Sequence, residues 1–517
     1  MLKRIGVVGA GTMGAGIAQV AAQAGLAVLL YDIGPGPLEA GLGRIRSSLD
    51  RYVQRSKMAP AERDEVLGRI ATTSSLSDFG DVDFVVEAAP EVLDLKKTIF
   101  SELDRVCRPD VVLATNTSSL SVTEVGALTG RQDRVVGMHF FNPVPLMNLV
   151  EVVRGARTGA EAAAATTALA LKLGKTPVQA KDTPGFIVNR IARPFPGEAL
   201  RLLGENVASQ QQIDRVARLG AGFRMGPFEL MDLVGMDINF AVNRSVFEQF
   251  FYEPRFRPHP LQAQMVKANL LGRKTGAGWY RYEGDQAMDG APGAQFYSNP
   301  GPRVEGVETV CVTGDDALAG LVQAAGYTLT DDPGLADIVV GGTSGRPHKR
   351  TALILVEASR TEVTEQAACF EHPAQVVGYG GVPSVADRQL VEIAVGLATA
   401  EPAWQRAAAF FHSLGRDTEV IHDGPGLIAP RIIACLANEA CFALMEGVAS
   451  AADIDTAMRL GVNYPHGPLE WADQLGPSSV LAILEGLQAH TGEDRYRPCP
   501  LLRKLALAGK RFADLGH

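Results

Sequence analysis

Arg4-Ile-Gly-Val-Val-Gly-Ala-Gly-Thr-Met-Gly14 reads as a short apolar strand that turns on glycine into a helix. Gly9 suits the tight turn, Gly11 lets a pyrophosphate approach the backbone, and Gly14 lets helix pack on strand. Thr12 and Met13 complete the loop at the helix amino end, where free N–H groups and a partial positive charge face an anion. Asp32 closes the next strand, 18 residues after Gly14, where a carboxylate hydrogen-bonds adenosine ribose hydroxyls. A carboxylate there repels a 2′-phosphate, so the pattern favours NAD over NADP. Strand, glycines, helix and acid together predict a dinucleotide-binding α/β domain.

Outward from this motif, apolar runs at Ala27–Tyr31, Phe84–Glu87, Val111–Ala114 and Val135–Met138 alternate with helical stretches. That alternation predicts a doubly wound, mostly parallel sheet. From about Thr183 the pattern becomes helical, with amphipathic runs near Phe186–Leu203 and Gln211–Leu219. The whole arrangement is then written again. Asp182-Thr-Pro-Gly-Phe-Ile-Val-Asn-Arg190 returns as Asp423-Gly-Pro-Gly-Leu-Ile-Ala-Pro-Arg431, shifted by 241 positions. The same shift carries Glu198-Ala199 onto Glu439-Ala440, Ile213-Asp214 onto Ile454-Asp455, and Leu149-Val-Glu151 onto Leu390-Val-Glu392. A tandem duplication follows. The expected organisation is a nucleotide domain at 1–183, a helical domain at 184–283, a Gly/Pro/Asp-rich linker at 284–306, a degenerate Rossmann-like domain at 307–421 and a second helical domain at 422–517.

Bulk properties narrow the function. The chain has 517 residues, a net charge of −9 and 21% charged residues, a balance that argues against a nucleic-acid partner. Six cysteines without a C-x-x-C spacing suggest reduced thiols, with neither a zinc site nor a disulfide framework, and no metal site is expected. No apolar run approaches the roughly 20 residues of a membrane span. A cytoplasmic enzyme with no membrane partner is expected.

His139 stands at the carboxyl end of the strand Val135–Met138, where ligands of open α/β sheets bind. Glu151 is the only charge in Leu149-Val-Glu-Val-Val153, and a carboxylate inside a strand costs several kcal/mol unless paired. An imidazole from the adjoining segment is the economical partner. His139 would then take an alcohol proton while Glu151 fixes its tautomer and stabilises the imidazolium. Asn116-Thr-Ser118-Ser119 follows another strand end and offers small donors, although such a run also suits a helix cap.

Taken together, these segments resemble the 3-hydroxyacyl-CoA dehydrogenase family. The likeness rests on Gly9–Gly14, Asn116–Ser119, His139-Phe-Phe-Asn-Pro-Val144, Leu149-Val-Glu151 and Asp182–Arg190, and continues through Gly222–Asp232 and Gly272–Tyr280. It implies His139 as catalytic base, Glu151 as its paired carboxylate, Ser118 as donor to the substrate 3-oxygen and Asn189 as an orienting amide. It also places Glu91, Lys96 and Asn116 at cofactor-contacting positions, although Glu91 and Lys96 alone read as solvated helix charges. The reaction implied is NAD-dependent oxidation of a 3-hydroxyacyl-CoA. The duplicated length is similar to that of phenylacetate-pathway members, so 3-hydroxybutyryl and 3-hydroxyadipyl chains are both reasonable substrates. For the coenzyme A phosphates, Arg44, Arg46, Arg51, Arg55 and Lys57 form a candidate basic face.

The shift puts Gly380 at the place of His139, Glu357 at that of Asn116 and Pro430 at that of Asn189. Asp315-Asp316 follow Gly314 where a pyrophosphate would sit. One active site is therefore expected, with the second half a scaffold whose helical domain pairs with the first within one chain, and a homodimer as a further possibility. Two competing readings are an NAD dehydrogenase of a free hydroxy acid or sugar acid, and a non-catalytic NAD-binding scaffold.

Overall fold

The computed structural model describes residues 2–284, 286–288, 300–342, 348–381 and 383–515. Much of the expected linker, residues 285 and 289–299, lies outside them. The chain forms two compact units, Met1–Arg190 with Ala443–Val462, and Ile191–Phe442 with Asn463–His517.

The first unit is built on an eight-stranded sheet. Its strands are β1 (Arg4–Val8), β2 (Ala27–Tyr31), β3 (Ile70–Thr73), β4 (Phe84–Glu87), β5 (Val112–Thr115), β6 (Val135–Phe140), β7 (Leu149–Arg154) and β8 (Thr176–Lys181). They lie in the order β3-β2-β1-β4-β5-β6-β7-β8, and only β6 and β7 run antiparallel. Continuous apolar runs serve these central strands because both faces are covered. Helices α1 (Thr12–Gln23) and α2 (Pro35–Gln54) pack near the first loop, and Gly41 permits the approach: a Cβ there would stand 2.7 Å from Ala10 O.

Two expectations are adjusted. β6 continues through Phe140, so His139 sits inside the strand rather than just past it. The expected helix 186–203 is broken into Val188–Ile191 and Pro194–Gly204, since Pro194 has no N–H to continue the ladder and its ring crowds the preceding turn.

The second unit holds a ribbon, β9 (Tyr282–Glu283) with β10 (Gln286–Ala287), and a seven-stranded sheet. That sheet comprises β11 (Thr309–Val312), β12 (Thr328–Leu329), β13 (Ile338–Val340), β14 (Leu353–Glu357), β15 (Val376–Tyr379), β16 (Leu390–Val395) and β17 (Asp417–His422), ordered β12-β11-β13-β14-β15-β16-β17. Its β15–β16 pair is antiparallel, as β6–β7 is in the first unit.

The repeated Asp-x-Pro-Gly motif has the same local task in each unit. Asp182 accepts from Val122 N and Thr123 N at 3.1 and 2.7 Å; Asp423 accepts from Val363 N and Thr364 N at 2.9 and 2.7 Å. The helical copies also contact the sheets by one repeated rule. Lys181 N donates to Val448 O at 2.8 Å in the first unit, and His422 N donates to Val207 O at 2.9 Å in the second. The 241-residue shift converts one bond into the other.

Within the second unit the two helical repeats pack directly. Phe195 and Phe223 meet Tyr464 at ring distances of 5.7 and 5.0 Å, and Phe223 meets Trp471 at 5.1 Å. Buried Arg431 reaches Glu198 at 2.9 Å and Glu205 at 2.7 Å, while Tyr496 Oη donates to Glu198 at 2.8 Å. At the position corresponding to Tyr496 stands Arg255, 3.2 Å from Glu439. Of the six cysteines five are buried and Cys369 is exposed. Among the described residues no helix is long and apolar enough to cross a membrane.

These contacts make the linker dispensable for holding the halves together. A protease site placed between Met288 and Pro300, once cut, should leave both fragments co-eluting as one species on size exclusion under native conditions. Separation of the fragments would show that the repeats do not hold each other.

Candidate active site

The first loop has the shape its glycines suggest. Gly9 adopts φ +100°, and a Cβ there would lie 2.7 Å from Ala88 O. A Cβ on Gly14 would lie 1.8 Å from Gly9 O, so only glycine allows α1 to start so close to the turn. Around Gly11 nothing lies within 4 Å of where a Cβ would project. The α1 amino end has no side-chain cap and no acid in its first turn. Exposed Thr12 and half-buried Met13 begin this helix. Asp32 Oδ2 accepts from Ala10 N at 2.7 Å and Oδ1 from Ile33 N at 2.8 Å, tying the acid to the loop while leaving lone pairs for hydroxyl donors. Uncapped N–H groups, open space and an adjacent carboxylate fit a dinucleotide.

β6 and β7 place His139 directly opposite Glu151. His139 Nδ1 lies 2.6 Å from Glu151 Oε2, with the carboxyl fully buried and His139 only 6% exposed. Glu151 Oε1 accepts from Ile187 N and Val188 N, both at 3.0 Å. Those two N–H groups belong to the segment that starts the short helix bearing half-buried Asn189. Phe141 and Phe186 flank the imidazole at ring distances of 4.7 and 5.7 Å. With Nδ1 donating to the carboxylate, Nε2 is left with its lone pair as the basic atom. Asn116 Oδ1 accepts from Phe140 N at 2.8 Å, pinning the end of β5 to the residue after His139.

A neighbouring cluster was only partly visible in the sequence. Glu91 accepts from Ser118 N at 2.6 Å and from Ser118 Oγ at 3.3 Å. Lys96 Nζ lies 3.6 Å from Glu91 but 2.7 Å from Glu87, a fully buried acid that also accepts from Thr115 Oγ1 at 2.7 Å. Lys96 is itself wholly buried, which overturns its reading as a solvated helix charge. Glu87 and Thr115 were missed, yet Glu87 is the lone charge of β4 and carried the same signal as Glu151.

Beside the loop, a cavity of about 640 Å³ is lined by Thr12, Gly16, Arg44 and Arg51 of α2, Arg55 just past its end, and the stretch Asn142–Leu146. Arg46 and Lys57 do not line it. Lys175, buried and drawn below its ordinary pKa by that burial, donates to Val144 O and Met147 O at 2.6 and 2.8 Å and so fixes the far wall.

The corresponding place in the second unit is chemically different. Glu392 retains two backbone donors, Ile428 N at 2.6 Å and Ala429 N at 3.1 Å. Gly380 replaces the histidine, and a Cβ there would stand 3.5 Å from Arg388 Nη1, so a guanidinium occupies the imidazole's surroundings. Burial pushes Glu392 up to about 7, against the pull of the Ile428 N–H and of Arg388. The same burial brings Arg388 down to about 10. Asp315 caps its own helix by accepting from Leu318 N at 2.9 Å, closing the amino end to another anion.

A sheet that carries a dinucleotide loop and an imidazole braced by a buried acid defines a nicotinamide-dependent dehydrogenase. Residues 4–183 match the NAD binding domain of 3-hydroxyacyl-CoA dehydrogenase, and residues 185–282 and again 426–513 match its C-terminal domain. The 3-hydroxyadipyl-CoA dehydrogenase of Escherichia coli (strain K12) is 40% identical over 509 residues, 98% of either chain. The crystal structure of an Escherichia coli K12 3-hydroxybutyryl-CoA dehydrogenase matches with a TM-score of 0.84 at 39% identity, covering 98% of this chain and 99% of that one. A probable 3-hydroxybutyryl-CoA dehydrogenase of Bacillus subtilis (strain 168) is 44% identical over 282 residues, 54% of this chain and 98% of its own. The chain belongs to the 3-hydroxyacyl-CoA dehydrogenase family, and its activity is the NAD-dependent oxidation of a 3-hydroxyacyl-CoA.

The loop geometry makes a paired prediction. Gly14→Ala forces a clash with Gly9 O, and NADH affinity should fall at least about tenfold, or about 1.4 kcal/mol. Gly11→Ala should weaken NADH binding while leaving the thermal midpoint unchanged, because its methyl meets no protein atom. Fluorescence titration and thermal unfolding read both effects; unaltered binding in both variants would remove the loop from the cofactor site.

Proposed function

We propose that His139 is the general base of this oxidation and Glu151 the carboxylate that orients it. The observation that carries the reading is the 2.6 Å contact between His139 Nδ1 and a fully buried Glu151. His139 Nε2 takes the proton of the substrate 3-hydroxyl, and Glu151, holding Nδ1–H, stabilises the resulting imidazolium. NAD, when bound, accepts hydride from the carbon that bears that hydroxyl. Ser118 and Asn189 hydrogen-bond and orient the 3-oxygen, and Phe141 and Phe186 limit water around the imidazole. Gly9, Gly11, Thr12, Met13 and Gly14 bind the pyrophosphate and Asp32 the ribose, with Glu91, Lys96 and Asn116 shaping the nicotinamide side. The duplicated Escherichia coli relative is named for 3-hydroxyadipyl-CoA, which supports that acyl chain as the substrate here. The domain assignment that accompanies this reading is 1–183 nucleotide-binding, 184–283 helical, 284–306 linker, 307–421 degenerate Rossmann-like and 422–517 second helical domain.

Replacing His139 with Ala should lower kcat by roughly 10²–10⁴-fold, the range for loss of a general base. Glu151→Gln should cause a smaller fall in the same parameter. NADH formation across a panel should be fastest with 3-hydroxyadipyl-CoA, slower with 3-hydroxybutyryl-CoA and absent with free hydroxy acids. A His139→Ala enzyme of unchanged rate would end the proposal.

The cavity beside α2 supports a site for the coenzyme A phosphates on Arg44, Arg51 and Arg55. The double change Arg51→Ala with Arg55→Ala should raise KM for the CoA ester about tenfold, as expected for lost charged hydrogen bonds. KM for the matching N-acetylcysteamine thioester, which lacks those phosphates, should stay the same, and Arg46→Ala should alter neither. Equal effects on both thioesters would move the phosphates elsewhere.

A further inference from the structure

The second half holds no complete site of its own, but part of it packs within the first unit. Ala443–Val462 is second-copy sequence, and it lies against the backbone that supports Glu151. Glu446 Oε2 accepts from Arg190 Nη1 at 2.7 Å; Arg190 is fully buried and the Glu446 side chain 38% exposed. Gly461 allows close packing, since a Cβ there would stand 2.9 Å from Leu149 Cδ2 and 3.0 Å from Val188 Cγ2. Val448 O takes the N–H of Lys181 at the end of β8.

These contacts converge on one turn. Arg190 N donates to Gly185 O at 3.0 Å, and Gly185 and Phe186 hold φ of +75° and +49°. The turn so closed presents Ile187 N and Val188 N to Glu151. Leu149 is two residues before Glu151 on β7. A displacement of the turn therefore reaches the carboxylate, and through it the imidazole.

We infer that Glu446 is a positioning residue for the oxidation, acting through Arg190 and the 185–190 turn to hold Glu151 against His139, so that the second half completes the active site of the first. The inference rests on His139 as base. It assigns the duplicated half a task in the reaction that a mere docking partner would not have.

The test uses the full chain with Glu446→Ala, Glu446→Asp and Gly461→Ala. Glu446→Ala should lower kcat about tenfold with KM for both substrates within about twofold, since small misplacements from distant substitutions act on the chemical step. It should also move the midpoint of the pH profile of kcat, and Glu446→Asp should restore most of the rate. Gly461→Ala, which presses on Val188 and Leu149 from another side, should move the same midpoint. Because Arg190 is buried, Glu446→Ala should also lower the thermal midpoint, so kcat and the pH profile are read well below that midpoint. A Glu446→Ala enzyme with wild-type kcat and pH profile overturns the inference, as does a rate loss that only tracks lowered thermal stability with an unmoved pH midpoint. Failure of the underlying reading is seen separately: His139→Ala would then stay active, whereas an inactive His139→Ala beside a normal Glu446→Ala refutes the role of Glu446 alone.

Discussion

A carboxylate removed from water costs several kcal/mol unless its oxygens are answered by donors, and the first unit is arranged around meeting that demand at Glu151. The antiparallel turn between β6 and β7 is the one reversal in an otherwise parallel sheet. It is what brings a histidine and a glutamate twelve residues apart onto facing positions. The second oxygen is met by backbone N–H groups from beyond β8, so three separated parts of the chain must agree before the imidazole is aimed. Preorganisation of this kind lets a base act without rearranging at the moment of reaction.

Much of this was legible in the residues. The glycine loop, Asp32, the β6 histidine and the lone acid of β7 follow from local pattern, and the repeat is readable by shifting the sequence against itself. What escaped depends on tertiary placement. Lys96 looks like any helix lysine, and only the fold shows its ammonium enclosed against Glu87. Glu87 is, like Glu151, a solitary charge in an apolar strand, but its partner Lys96 lies on a helix, and no local pattern shows that this helix turns the ammonium inward. The break before Pro194 lay inside a convincing amphipathic period, and the ring's geometry outweighed that period. Short edge strand β3 and half-polar β8 lack the apolar run that marked the others.

The second unit keeps the frame of the first site without its histidine. Glu392 keeps its pair of backbone donors, while a guanidinium from Arg388 supplies positive charge where a titrating ring stands in the other copy. An arginine does not give up a proton in the neutral range, so Arg388 beside Gly380 does not stand in for an imidazole base. Asp315 completes the change by supplying from within the chain the negative group that a phosphate would otherwise bring. Charge near Glu392 and at the helix amino end is thus met from within the chain, and the sheet keeps its form.

Arg255 and Tyr496 occupy matching places in the two helical repeats, yet one offers a guanidinium to Glu439 and the other a phenol to Glu198. In an assembly of identical subunits related by a two-fold axis, every substitution is imposed on both sides at once, so a change must suit its own mirror image. Here the two sides are encoded separately. A residue can be altered on one side for catalysis and on the other for adhesion, and neither has to tolerate its neighbour's choice. Fusion thus frees each face to drift alone.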